Sequence, residues 1–362
     1  MPIMYMPVKV LWGKGAVAKN REVFVALGSK AMIVTGKHSS RVNGSLQDVT
    51  DALDANGQTY VIFDEIEENP SVETVSRAAA LAVEEKADFF IGIGGGSPMD
   101  ASKAIALLAR NPEMIADAEK HLYQKQEVPV YPVAAVPTTS GTGSEVTPYA
   151  IMTLHSRHTK QSIAYRIFPQ VALVDYSYLK TSSRNGMINT CVDALAHMLE
   201  SYLNTNADEY NRMYAEKGLR LWGSKKEQLA GAQEEYTEEM YQTFMHASVL
   251  AGMAIAHTGT SLPHGLSYPV TYELGVAHGR AVGYFLPGFL KYYGNQEEVQ
   301  EVLQLLGFEN QEAFAGYLNS LLGEKQIPEE LWERDRRGLL SNQAKLKNYP
   351  FEMTEETLSK YI

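Results

Sequence analysis

The chain has 362 residues, 45% of them hydrophobic, with a net charge of −11. That suits a two-domain globular protein with a substantial core, and the acidic balance argues against nucleic acid or an anionic membrane as the main partner. The single cysteine, Cys191, excludes an internal disulfide and a cysteine-rich zinc cluster, so any metal must rest on histidine and carboxylate.

No apolar run reaches about eighteen residues, and "MPIMYMPVKV" lacks a signal-peptide pattern. A soluble cytoplasmic protein is expected. In chain order, "AMIVTG" (31–36) predicts a buried strand and "GSLQDVTDALDANG" (44–57) a helix ended by Gly57. "TYVIFDEI" (59–66) is a second strand. "SVETVSRAAALAVEEK" (71–86) is a helix with Ser71 as N-cap. "DFFIGIG" (88–94) is a third strand, "SPMDASKAIALLAR" (97–110) a helix, and "VYPVAAVPTT" (130–139) a fourth strand. "AIMTL" and "QSIAY" flank a turn that carries His155 and His158, and "VALVD" (171–175) closes the series. This order implies a mostly parallel, doubly wound α/β sheet over residues 1–180. From 181 to 362 the pattern is helical, as in "NTCVDALAHMLESYLN", "DEYNRMYAEKGLRLW" and "YQTFMHASVLAGMAIAH".

"GIGGGSPMDASKA" follows a strand and opens a helix. Gly94, Gly95 and Gly96 permit a tight turn, and a helix N-terminus offers N–H groups to a pyrophosphate. Ser97 suits an N-cap, Pro98 a first helical residue, and Asp100 a reciprocal cap. A tight structural turn would leave the same glycines. "VPTTSGTGSEVTPY" (136–149) is a second polar loop after a strand. Its Thr138, Thr139, Thr142, Thr147 and Tyr149 suit phosphate or ribose, although a plain Ser/Thr connector has the same composition. Open α/β sheets bind ligands at that edge. Many NAD sites place a carboxylate just past a strand. Here Gly36 takes that place, followed by Lys37, Ser39, Ser40 and Arg41. No acid repels a 2′-phosphate, which favours NADP(H) over NAD(H).

Asp193 and His197, four residues apart, share a helix face and suit one metal or an ordinary ion pair. His264 and His278 are fourteen residues apart, about 21 Å along an unbroken helix. They share an ion only if the chain turns back, and Pro269 and Gly275 are the candidate breaks. Three imidazoles and a carboxylate suit iron(II) or zinc. His257, seven residues before His264, reads as packing or as lining a cleft.

With "GGGSPMDASKA", "PTTSGTGSEVT", "DALAHMLESY", "PHG" and "AHGRAVGYFLP" in that order, the sequence resembles the iron-containing (group III) alcohol dehydrogenases. The resemblance implies an α/β dinucleotide-binding domain, a helical metal-binding domain, and interconversion of a small alcohol with its aldehyde or ketone. It implies Asp193, His197, His264 and His278 as metal ligands. Gly94 to Ser97, Asp100, Thr138, Thr139, Thr147 and Lys160 match cofactor contacts, and Asn69 matches a position near the nicotinamide-side ribose. Where many members carry a second histidine four residues after the one matching His264, this chain has Tyr268. Its phenol either moves the alcohol proton or packs beside the metal. Zinc-dependent relatives of the glycerol dehydrogenase or dehydroquinate synthase type, and a non-catalytic nucleotide-binding protein on the same fold, are the alternatives. A homodimer is compatible with the sequence, which leaves the oligomer open.

Overall fold

The structure, a computed structural model, describes residues 4–231 and 236–362. The chain divides into two compact units. One comprises residues 6–139 and 143–182; the other comprises residues 183–362 with the segments 140–142 and 4–5.

The first unit is built on strands β1 (Lys9–Trp12), β2 (Lys30–Thr35), β3 (Thr59–Phe63), β4 (Phe89–Gly94), β5 (Val133–Pro137) and β8 (Val171–Val174). They form one parallel sheet in the order β1-β8-β5-β4-β2-β3. β6 (Ile151–Leu154) and β7 (Thr159–Ser162) form an antiparallel hairpin. His155 and His158 lie exposed in its turn. β1 is an addition to the strands expected from the sequence. It sits at the sheet edge and has no fully buried residue, so it lacks the apolar run that marks the central strands.

Alternation with period two places the two sheet faces in separate cores. Met32, Val34 and Phe90 pack with the helices Val72–Glu84 and Gly96–Arg110. Ala31, Ile33, Phe89 and Ile91 pack with the helix Ser45–Ala55. Both faces are therefore covered, as a parallel sheet requires. Ser71 caps its helix by accepting the Thr74 N–H at 3.2 Å. The register sets Thr35 of β2 beside Ile93 of β4, and Gly94 of β4 beside Pro137 of β5. The segments after these three strands thus leave from one edge.

The second unit is helical. Helices Arg184–Tyr202, Glu209–Gly223 and Glu238–Thr258 pack on one another. Each begins at a side-chain cap: Ser183, Asp208 with a reciprocal Asn211, and Thr237. Among the described residues, no helix is long and apolar enough to cross a membrane.

The helix Leu262–Leu274 runs through Pro269, so the expected break there does not occur. A missing N–H removes one hydrogen bond without stopping the chain. The stop comes at Gly275, in the left-handed region at φ 65°. A short helix, His278–Gly283, then starts at His278.

Candidate metal centre and nucleotide loops

The helix Arg184–Tyr202 carries Asp193, His197 and Glu200, all buried, at positions i, i+4 and i+7 of one face. His264 is the third residue of the next helix in the site, and His278 opens the short one after the Gly275 turn. Gly279 lets that short helix approach closely: a β-carbon there would overlap the carbonyl oxygen of Asn189.

The three imidazoles converge on one oxygen, Oδ1 of Asp193. Nε2 of His264 lies 3.4 Å from it, Nε2 of His278 3.7 Å, and Nε2 of His197 3.9 Å. Candidate ligand atoms of Asp193, His264 and His278 all fall within 4.8 Å of one another. The His197 ring stacks on His264 at 4.5 Å between centroids. Its Nδ1 lies 3.2 Å from the Gly141 carbonyl, which leaves Nε2 toward Asp193. His257 is not part of the cluster. Its Nδ1 meets the Met253 carbonyl at 2.8 Å, and its Nε2 accepts the Tyr5 N–H at 3.4 Å.

Asp193 Oδ1 and His264 Nε2 are buried and have no hydrogen-bond partner. Unsatisfied buried polar atoms are costly. Facing one another with imidazoles around them, they fit a divalent transition metal held by nitrogen and oxygen. Burial raises the Asp193 carboxyl, but His197, His278 and His264 outweigh it and hold it well below the usual range. Burial pushes His197 down to about 4, against the pull of Asp193. Burial also lowers His264, yet Glu200 and Asp193 prevail and push it up to about 9.

Glu200 is the residue that sequence reasoning missed. It is fully buried, and its Oε1 lies 2.6 Å from Nδ1 of His264 and accepts the His264 N–H at 3.1 Å. Its other oxygen accepts the N–H of Ser261. Burial raises this carboxyl, while His264, Lys345 and the Ser261 N–H bring it below its ordinary value. The signal was available in the one-face spacing of Asp193, His197 and Glu200. Tyr268 stacks on His278 at 5.9 Å, and the Lys345 ammonium lies 5.4 Å from its ring centre.

In the α/β unit, the glycine turn leaves β4 with Gly94 at φ 144°. The following helix spans Gly96–Arg110 with Gly95 as N-cap and no side-chain cap. Ser97 is therefore inside the helix rather than its cap, and Asp100 makes no reciprocal cap. The Ser97 hydroxyl instead accepts the N–H of Asn69 at 3.1 Å. Asn69, itself left-handed at φ 58°, accepts from Lys160 Nζ at 2.9 Å and from Thr153 Oγ1 at 2.7 Å. The Thr138 N–H donates to the Gly94 carbonyl at 2.8 Å, and a β-carbon on Gly95 would stand 3.2 Å from Thr139 Oγ1. The two loops singled out in the sequence thus lie side by side. Thr147 is buried, and Tyr149 has the Arg166 guanidinium 5.3 Å from its ring centre. Thr142 groups with the helical unit.

After β2, Gly36 is half-buried, Lys37 and Ser39 are exposed, and Ser40 is buried. The Arg41 guanidinium pairs with Asp64 at 2.8 Å.

Comparison with known proteins finds a family match over most of the chain. Residues 7–176 match the family described as iron-containing alcohol dehydrogenase, and residues 187–337 match its C-terminal family. The chain belongs to the iron-containing alcohol dehydrogenase family. It is 30% identical over 288 residues to a long-chain primary alcohol dehydrogenase of Thermoanaerobacter ethanolicus, covering 77% of this chain and 71% of that one. It is 28% identical to an NADPH-dependent butanol dehydrogenase of Clostridium saccharobutylicum, covering 91% and 85%. A solved iron-containing alcohol dehydrogenase of Thermotoga maritima superposes with a TM-score of 0.91 at 36% identity, covering 100% of this chain and 98% of the other. As a member of this family the protein is an alcohol/aldehyde oxidoreductase.

Proposed function

We propose that the protein interconverts a small alcohol and its aldehyde or ketone using a divalent metal, iron(II) or zinc, and NADP(H) in preference to NAD(H). The observation that carries this reading is the convergence of three imidazole nitrogens on the unpartnered Asp193 Oδ1. Asp193, His197, His264 and His278 would hold the metal. When bound, the metal supplies Lewis acidity at the substrate oxygen and the nicotinamide exchanges hydride with the carbinol carbon.

The chain's own residues prepare that chemistry. Asp193 stays ionised and offsets the metal's charge. His197, pushed down to about 4, is neutral at pH 7 and offers a lone pair. Glu200 engages Nδ1 of His264, so that Nε2 points toward Asp193. Gly94, Gly95, Gly96 and Ser97 would receive the pyrophosphate at the helix start. Thr138, Thr139, Thr142, Thr147 and Tyr149 belong to the neighbouring loop, and Asn69 with Lys160 would serve a ribose. Gly36, Ser39 and Ser40 would face the 2′-phosphate, with no carboxylate of their own to repel it. Tyr268, beside His278, is the group we assign to the alcohol proton.

The test combines metal analysis with NADPH oxidation over a panel of aldehydes and ketones. Chelation should abolish turnover, and iron(II) or zinc should restore it. His264→Ala and His278→Ala should each lose activity together with stoichiometric metal. Full turnover after complete chelation, or a strong NAD preference, would overturn the corresponding part of the reading.

A further inference from the structure

Lys103 is fully buried two turns into the helix that starts at the glycine turn. Its ammonium donates to the Tyr149 carbonyl at 2.7 Å, to Ser144 Oγ at 2.8 Å and to the Ser144 carbonyl at 2.9 Å. Asp100 Oδ1 lies 3.4 Å from the same nitrogen. That oxygen also accepts the Ser144 hydroxyl, and Oδ2 accepts the Ile151 N–H at 2.8 Å. Both oxygens of Asp100 and the three donors of Lys103 are thus engaged within residues 100–151. Every partner outside the helix belongs to the loop segment that follows Thr139 or to the strand after it.

The surrounding packing leaves little slack. A β-carbon on Gly92 would crowd Ser102 and the Met99 backbone, and one on Gly95 would crowd Thr139. The distance between the glycine turn and the second loop therefore depends on what joins them. Burial lowers the Lys103 ammonium, and Asp100 and Glu145 oppose that shift. A buried charge is an expensive way to fill space, and an apolar side chain of similar volume would serve packing alone.

We propose that Asp100, Lys103 and Ser144 form one buried latch that sets the spacing of the two nucleotide loops. Asp100, which the resemblance gives as a cofactor contact, then acts as a positioning residue instead: with its oxygens taken by Ser144 and Ile151 it governs cofactor affinity through them. This rests on the reading that these loops hold the nicotinamide nucleotide.

The experiment is a double-mutant cycle on the metal-loaded full chain, with NADPH dissociation constants read by fluorescence titration. Asp100→Asn and Ser144→Ala should each weaken NADPH binding about tenfold, the scale of one hydrogen bond to a charged group. The double variant should be no weaker than the worse single one. Metal content should stay at the wild-type level. Melting temperatures identify variants whose loss is simply unfolding, and Ser144→Ala keeps the test open if Asp100→Asn folds poorly. Additive effects, or Ser144→Ala binding NADPH like the wild type, would overturn the latch. Wild-type protein that binds neither NADPH nor NADH would overturn the underlying loop assignment instead.

Discussion

The Glu200 carboxylate meets Nδ1 of His264 at 2.6 Å while Nε2 of that ring faces Asp193 at 3.4 Å. A carboxylate on the far nitrogen fixes a histidine's orientation and makes it a better metal ligand. Glu200→Gln keeps the shape and removes the charge. It should weaken metal binding roughly 10–100-fold. Competition against a chelating dye measures this, and an unchanged metal affinity would assign Glu200 to capping the helix at Ser261 alone.

On the proposed reading, Gly36 lies where a carboxylate would discriminate against a 2′-phosphate. Gly36→Asp should lower kcat/KM for NADP(H) by about tenfold or more and raise it for NAD(H), since an acid near phosphate repels it. The new β-carbon would stand 3.3 Å from the Ile66 carbonyl oxygen, a tight fit that a small shift relieves. The ratio of the two cofactor specificities is the readout. An unchanged ratio would move recognition of the 2′-phosphate away from this strand end.

The strands of the α/β unit were legible because a sheet covered on both faces reads as continuous apolar runs, as in "AMIVTG" and "DFFIGIG". β1 was not, because an edge strand with partly exposed residues has no such run. Asp193 and His197 announced themselves by helical spacing, whereas their meeting with His264 and His278 depends on the Gly275 turn, which only tertiary packing decides. Pro269 misled because proline punctuates local sequence strongly, yet a packed helix tolerates one missing N–H. Ser97 misled similarly: its hydroxyl bonds Asn69, 28 residues away, instead of its own helix. Glu200 was overlooked despite its spacing from Asp193 and His197, because a glutamate inside a helix normally marks a solvated face.

The Tyr268 ring packs on His278 and beneath Lys345. Phenylalanine preserves that packing and removes the hydroxyl. If the hydroxyl handles the alcohol proton, Tyr268→Phe should reduce kcat by roughly 10²-fold, the lower range for a general acid–base group, with metal content unchanged. Tyr268→His should recover part of the loss and move the pH–rate profile toward the imidazole range. Wild-type kcat in Tyr268→Phe would reduce Tyr268 to a wall of the site.

Asp335 is buried in the helix Glu329–Ser341, and its Oδ2 has no hydrogen-bond partner. Burial pushes this carboxyl up to about 7; Arg334 opposes the shift and Glu273 adds to it. A folded-state value above the unfolded value of about 3.9 means that the neutral form is favoured in the native state. Its contribution to stability is complete below about pH 4 and is lost as pH rises through 7. Above that, the native state carries an ionised, poorly solvated carboxylate. Asp335→Asn replaces the neutral acid by a neutral amide and removes the dependence. It should be close to wild type at about pH 4 and more stable at about pH 8, by on the order of 1–3 kcal/mol. Urea melts of both proteins at the two pH values give the comparison. A stability difference that stays constant from about pH 4 to about pH 8 would mean that Asp335 ionises in the folded state as it does in the unfolded one, with a counter-charge that offsets its burial.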